Sequence, residues 1–249
     1  MEYSSKHCFA LFYAPSTDWQ ESNQTLITIT QQEMVHRMYH VLRLNPDDQI
    51  ILFNRNYHFL LNLIALSKKE IKASLREVKK NSSYHPAITA ILPLLKRDAL
   101  ERALDGLTQV GVTAIQLVTT KKSQQHFSDK DRTRLYRIIY AAAEQSKNFS
   151  FPELLNPLPL THWLTTIEKE KKSIVFCDPD GSPVNQVMNT LQRSNENSII
   201  ILIGPEGDLT GEEKNVLKNV LVFSMALTPT ILRSEQAICL ASGIVRALL

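Results

Sequence analysis

The chain has 249 residues, 43% of them hydrophobic and 21% charged, with a formal net charge of +3. These fractions suit a domain with a buried core and exclude an intrinsically disordered chain or a collagen-like fibre. Three scattered cysteines, Cys8, Cys177 and Cys239, speak against a disulfide framework or a zinc-finger array. No apolar run is long enough to span a membrane. Met1-Glu2-Tyr3-Ser4 lacks the basic-then-apolar order of a signal peptide, so the expectation is a cytoplasmic protein. The mild basicity permits a nucleic-acid partner without requiring one.

Residues 1 to about 72 read as short, mostly β elements. Thr25–Thr30 alternates with strand period, and Gln49–Asn54 and His58–Ile64 read as strands about an Asn54-Arg55-Asn56 turn. Gln31–Leu42 could form one short helix between them. A small barrel with an inserted helix fits this pattern. Residues 73–87 are polar and close on Pro86, which predicts a linker, or a last strand followed by the linker.

From residue 88 onward strands and helices alternate. Ile88–Leu95 is an apolar run, Asp98–Val110 has helical spacing and stops at Gly111, and Thr113–Thr119 is β-branched. Leu135, Ile138, Ile139 and Ala142 mark one face of a helix over Arg134–Asn148. Ser173–Cys177, Ser198–Ile203 and Leu221–Leu227 are continuous apolar strands, each followed by a loop and a helical stretch. That texture predicts an α/β fold with a parallel sheet covered on both faces.

Ligands of such sheets bind beyond the carboxyl ends of the strands. Three loops lie there: Cys177–Pro183, Gly204–Gly211 and Thr228–Glu235. The middle one is unusual because three of the chain's seven glycines, Gly204, Gly207 and Gly211, fall in it. Pro205 stiffens the strand exit, and Thr210 with Glu213 has capping-box spacing. The loop is neither a Walker loop nor a dinucleotide fingerprint. It reads equally as a ligand cradle or as a plain strand-to-helix turn. Arg233 falls in the first turn of the last helix, where a cation opposes the macrodipole. Either a partner such as a phosphate or a substrate base holds it there, or it is solvated or paired with Glu235. His36 and His40 have i, i+4 spacing but no apparent third ligand, so no metal is expected.

Two segments together resemble the signature loops of the RsmE-type methyltransferases, of the SPOUT superfamily. They are Ile203-Gly204-Pro205-Glu206-Gly207-Asp208-Leu209 and Leu227-Thr228-Pro229-Thr230-Ile231-Leu232-Arg233-Ser234-Glu235-Gln236-Ala237. Ala142–Ser146, with Glu144 and Gln145, is similar to the family's Glu-Gln segment. Lys96 and Val110-Gly111-Val112 match its first helix and turn, and His40–Leu44 with Asp47-Asp48 the start of its N-terminal domain. The chain departs from the family at Asp208, where a second glycine is usual. It departs also at Thr228 and Thr230 for Gly and Arg, at Asn148 for Arg, and at Gly106 and Gln109 for Lys and Glu.

The resemblance implies a PUA-like small β-barrel for RNA binding over residues 1–75. For residues 76–249 it implies a SPOUT-type trefoil-knotted parallel sheet with helices on both faces. It implies transfer of a methyl group from S-adenosyl-L-methionine to N3 of a uridine in small-subunit (16S) ribosomal RNA, by a homodimer. Cofactor-binding residues would be Leu202, Ile203, Gly204, Pro205, Glu206, Gly207, Leu227, Thr228, Pro229, Ile231 and Leu232. Catalytic candidates are Arg233, Glu206 and Glu235, and RNA-binding candidates Arg37, Arg43, Arg55, Lys121, Lys122 and Arg134. A solvated helix face explains such basic runs as well. Ribose 2′-O methylation and a non-catalytic RNA-binding or ribosome-assembly role are the competing readings.

Overall fold

The structure, a computed structural model, describes residues 8–13, 25–123, 127–170, 173–194, 196–217, 220 and 222–249. It divides into two units, Met1–Ser82 with Ala143–Phe149, and Ser83–Ala142 with Ser150–Leu249.

The first unit holds β1 (Phe9–Phe12), β2 (Leu26–Ile29), α1 (Gln32–His36), β3 (Gln49–Phe53), β4 (Tyr57–Leu66) and β5 (Ile71–Lys80). Their order is β1-β3-β4-β5-β2, with β1 and β3 parallel and the other pairs antiparallel. Helix α1 runs on into a π-helical turn, Arg37–Val41, so the expected single helix changes pitch midway. Met34, Val35 and Met38 of this stretch close the core formed by Ile50, Leu52, Leu61 and Ile71. The Asn54 turn is an Asx turn: Asn54 Oδ1 accepts from the N–H groups of Asn56 (2.9 Å) and Tyr57 (2.8 Å). Strand β5 stays paired with β4 as far as Lys80. Residues 76–82 therefore fold with the first unit, and the boundary lies at Ser82/Ser83 rather than at 75/76. β1 and β2, the ends of this sheet, are not paired with each other among the described residues.

The second unit holds β6 (Ala87–Pro93), α2 (Arg97–Gln109), β7 (Ala114–Thr119), α3 (Asp129–Ser146) and β8 (Glu153–Pro159). It continues with α4 (Leu160–Glu170), β9 (Ile174–Pro183), α5 (Val184–Ser194), β10 (Ser198–Ile203), α6 (Gly211–Leu217), β11 (Val222–Ala226) and α7 (Ser234–Leu248). Residues 143–146 of α3 are counted with the first unit. The sheet order is β11-β9-β10-β6-β7-β8 and every neighbouring pair is parallel. β8, which carries Pro157 and Pro159, is an edge strand, where a missing N–H costs least.

β10 is buried along Ile199–Ile203. Its Ile200 and Leu202 pack with Trp163 and Leu164 of α4 and Leu217 of α6. Ile199, Ile201 and Ile203 alternate to the opposite face, where α7 lies against β10 and on α2. Both faces are thus covered, which is why the strand could be apolar without interruption.

Helix α2 ends in a Schellman motif. Val112 N–H donates to Leu107 O and Gly111 N–H to Thr108 O, both at 3.2 Å, and Gly111 takes φ +80°. Cys177–Pro183, expected as a loop, belongs to β9. Pairing with β11 breaks after Phe176↔Ser224 and resumes at Ser182↔Met225, so residues 177–181 make an excursion at the strand's carboxyl end. Gly181 permits the return, because a Cβ there would stand 2.6 Å from Met225 N. Among the described residues, no helix is long and apolar enough to cross a membrane.

Gly106 of α2 faces α7: a Cβ would lie 2.6 Å from Cys239 Sγ. A lysine, usual in the family, would require Cys239 to shift. Gly106→Ala should lower stability by about 1–2 kcal/mol despite alanine's better helix propensity. In a Cys239→Ala background the same change should become neutral or stabilising. A double-mutant cycle by urea unfolding measures the coupling, and additive effects would refute the contact.

Candidate functional site

All strands of the second unit point the same way, so their carboxyl ends bring together the loops after β6, β7, β9, β10 and β11. Chain order reverses between β6 and β10, since β7 and β8 lie on one side and β9 and β11 on the other. The crevice at such a switch point is the usual ligand site of an open parallel sheet.

Two hydrogen-bonded hubs hold these loops. Ser234 Oγ, at the start of α7, donates to Gly204 O at 2.9 Å and so joins the β11 loop to the β10 exit. Glu213, 2% exposed, forms the expected capping box: it accepts from Thr210 N–H at 2.8 Å, and its own N–H donates to Thr210 Oγ1 at 3.3 Å. Its second oxygen accepts from Lys121 N–H at 2.9 Å, which ties the β7 loop to the same helix. Burial pushes the Glu213 carboxyl up, but the hydrogen bonds from Thr210 and Lys121 outweigh it and hold the group below the usual 4.5.

Asp208 takes φ +60°, the left-handed conformation that the family's usual glycine adopts without strain. Its side chain compensates, since Oδ1 accepts from Leu209 N–H at 2.7 Å and the carboxylate pairs with Lys214 at 2.7 Å. A Cβ on Gly204 would stand 3.3 Å from Asp208 Oδ1, so the Asp208 carboxylate packs closely over this glycine.

Two openings flank these hubs. The first is a crevice of about 360 Å³, counted to its open mouth, between the ends of β9 and β11. Cys177, Asp178 and Pro179 line one side, Leu227, Thr228, Thr230, Ile231 and Leu232 the other, with Met225 and Ala237 behind. Thr228 Oγ1 donates to Thr230 O at 2.7 Å, and the next residue, Ile231, is 85% exposed. The second opening lies at the switch point. It comprises two cavities that share Lys96 and Glu206: Arg97, Arg102, Arg233 and Glu235 line one, and Leu94, Lys121, Lys122, Pro205 and Gly207 the other.

The expected site residues separate between these openings. Leu227, Thr228, Ile231 and Leu232 line the first, and Pro205, Glu206, Gly207, Arg233 and Glu235 the second. Leu202 and Ile203 are buried in β10, Gly204 forms the turn, and Pro229 is exposed outside the lining. Arg233 is the exposed N-cap of α7 and has no ion pair among the described residues. Glu235 is instead paired with Arg102 at 2.9 Å. Burial pushes its carboxyl up, but Arg102 holds it below the usual range.

Of the basic candidates, Arg37 is committed elsewhere. It binds Glu144 through both terminal nitrogens, one at 2.8 Å, and Glu144 also accepts from Phe12 N–H at 2.8 Å. The bond to Glu144 raises the guanidinium above its usual range. Arg134 pairs with Glu101 (3.2 Å) and Asp131 (3.6 Å). Both arginines are engaged by carboxylates. Lys121 pairs with Glu212, and Lys122 Nζ donates to Gly207 O. Arg43 and Arg55 are exposed in the first unit, Arg43 at φ +52°. The sequence reading missed Lys96, Arg97 and Arg102 as pocket residues; only their place after an apolar strand could have signalled it. Among the described residues, no group of three His, Cys, Asp or Glu could hold a metal ion.

A family model described as an RNA methyltransferase domain matches residues 82–246, and the chain belongs to that family. Its full-length likeness is to the RsmE-type members. It is 27% identical to the Ribosomal RNA small subunit methyltransferase E of Rickettsia conorii, covering 89% of this chain and 90% of that protein. With the Bacillus subtilis protein of that name it shares 26%, covering 91% of each. The crystal structure of the Neisseria gonorrhoeae protein of that name, bound to S-adenosyl methionine, aligns with a TM-score of 0.80. The identity there is 23%, over 97% of this chain and 98% of that one.

Because the folded Glu213 carboxyl sits below its unfolded value, its stabilisation is present above pH 4.5 and fades as pH falls through the lowered value. Glu213→Ala should cost about 2–3 kcal/mol at neutral pH, with buried N–H groups left unpaired. The loss relative to wild type should shrink in acid. Urea midpoints measured at neutral and acid pH decide this; a pH-independent difference would remove Glu213 as the hub.

Proposed function

We propose that this chain transfers a methyl group from S-adenosyl-L-methionine to N3 of one uridine in 16S ribosomal RNA. The observation that carries the reading is an adjacency. Ile231 and Leu232 line a largely apolar crevice, and the next residue, Arg233, lines a charged pocket. One peptide step therefore separates a place for a flat apolar group from a place for an anionic one.

The crevice residues fit an adenosyl group. Leu227, Ile231 and Leu232 offer apolar walls, and the loop backbone offers polar partners for a purine edge. S-Adenosylmethionine supplies a methyl carbon made electrophilic by its sulfonium. The chain positions the acceptor, which is where much of the rate of a displacement arises. Uridine N3 loses a proton as it is methylated, so negative charge develops on the base. Arg233, exposed and without an ion pair among the described residues, would stabilise that charge. Glu206 is exposed and 3.8 Å from Lys96, so it can reach a base to accept the proton. Glu235 is buried against Arg102 and acts as a positioning residue. N3 lies on the pairing edge, so the target nucleotide has to be unpaired or extruded.

In the same reading, the second unit is a trefoil-knotted SPOUT domain that works as a homodimer in the cytoplasm. The first unit is a PUA-like RNA-docking module that uses Arg43 and Arg55. Lys121 and Lys122 add charge beside the target pocket. The Ser234–Gly204 bond between two strand-end loops supports the first part, and the full-length likeness to RsmE-type proteins supports the whole.

Arg233→Ala should lower methylation by about 10²–10³-fold with little change in melting temperature, and Arg233→Lys should recover part of it. The readout is 3-methyluridine in nucleosides from ribosomal RNA, measured by mass spectrometry in a deletion strain carrying each variant. Undiminished 3-methyluridine in the deletion strain itself would overturn the reading.

A further inference from the structure

The crevice between β9 and β11 carries one formal charge. Its lining is otherwise neutral: aliphatic side chains, threonines, a proline, and a thiol, Cys177, that burial pushes up to about 12. The charge is Asp178, at the start of the excursion in β9. Asp178 Oδ1 accepts from Asp180 N–H at 3.1 Å, which fixes the carboxylate at the rim. Asp178 has no ion pair among the described residues. Lys214 shares a neighbouring cavity with it and feels its charge, but the lysine's direct partner is Asp208 at 2.7 Å.

We propose that Asp178 reads the charge of the ligand and selects a cationic methyl donor over the neutral thioether left behind. This rests on S-adenosylmethionine being the cofactor. In the transfer, the bond from sulfur to the methyl carbon breaks and its electron pair stays on sulfur. The bond from N3 to that carbon forms, and the N3 proton passes to Glu206 or water. The donor thus carries one positive charge that the product lacks, while the adenosine, ammonium and carboxylate groups are common to both. A fixed carboxylate in a crevice walled by aliphatic groups discriminates that single charge, because the local dielectric is lower than in bulk water. Selection against the product also speeds its release.

The test is calorimetric binding to the full chain, wild type and Asp178→Asn, of three probes. They are S-adenosylmethionine, S-adenosylhomocysteine, and sinefungin, which carries an ammonium in place of the methyl sulfonium. The amide variant should weaken both cationic probes by on the order of tenfold or more and leave the thioether within about twofold. Asp178→Glu should retain the preference, and Asp178→Ser gives the same comparison should the amide variant not fold. Equal loss for all three probes, or no loss for any, would overturn the role of Asp178 while leaving the cofactor assignment intact. A wild-type chain that binds none of the three overturns the cofactor assignment and this inference with it.

Discussion

The carboxyl end of β10 is the constraint on which the site depends. A strand buried on both faces delivers its last backbone groups to the end of the sheet, where they still need partners. Here other loops supply them. Gly204 O is satisfied by Ser234 from the far side of β11, and the helix after β10 is capped by Glu213, which also binds the backbone of the β7 loop. Three loops distant in sequence are therefore fixed by a few polar contacts on an apolar sheet. That leaves the remaining loop surfaces available to a ligand.

The same arrangement separates chemistry by charge. Most ionisable groups at the strand ends face the switch point, where Lys96, Arg97, Arg102 and Arg233 meet Glu206 and Glu235. The crevice beyond β9 and β11 keeps a single carboxylate. Arg233 stands where the two meet, and its placement is electrostatically unfavourable for the fold, because it adds a cation to the positive end of α7. Nearby Glu235 offsets part of that cost but is itself bound to Arg102. A cation kept at the wrong end of a helix, without an ion pair among the described residues, is a feature that stability alone does not account for.

How legible the molecule was in its sequence follows from how local each signal is. Strand β10 shows itself as an unbroken apolar run, α2 by its spacing and its Gly111 stop, and the cap of α6 by Thr210 and Glu213. Each signal lies within a few residues of its effect. β8 and α4 were not anticipated, because a strand holding Pro157 and Pro159 reads as irregular until it is seen to lie at the sheet edge. The excursion in β9 reads as a turn through Asp178-Pro179-Asp180-Gly181, although its far end is paired by β11, more than 40 residues on. Arg37 read as a surface cation because its partner, Glu144, lies 107 residues away. For the same reason the sorting of site residues between two pockets was not visible: it depends on which faces of two loops pack together.

The departures from the family pattern mark how the chain has balanced them. Asp208 keeps the left-handed turn by bonding Leu209 and Lys214, and Gly106 gives up a side chain so that Cys239 can approach. Thr228 and Thr230 are the most informative pair. Thr228 Oγ1 donates to the backbone carbonyl of Thr230, a bond that a glycine at 228 could not make. Covering Ile231 is worth roughly 25 cal/mol for each Å² removed from water. Held 85% exposed at the crevice mouth, it keeps that gain in reserve for whatever flat apolar group enters. Thr228 and Thr230 line the crevice without closing it, so their substitution for Gly and Arg is compatible with a site built to receive a ligand.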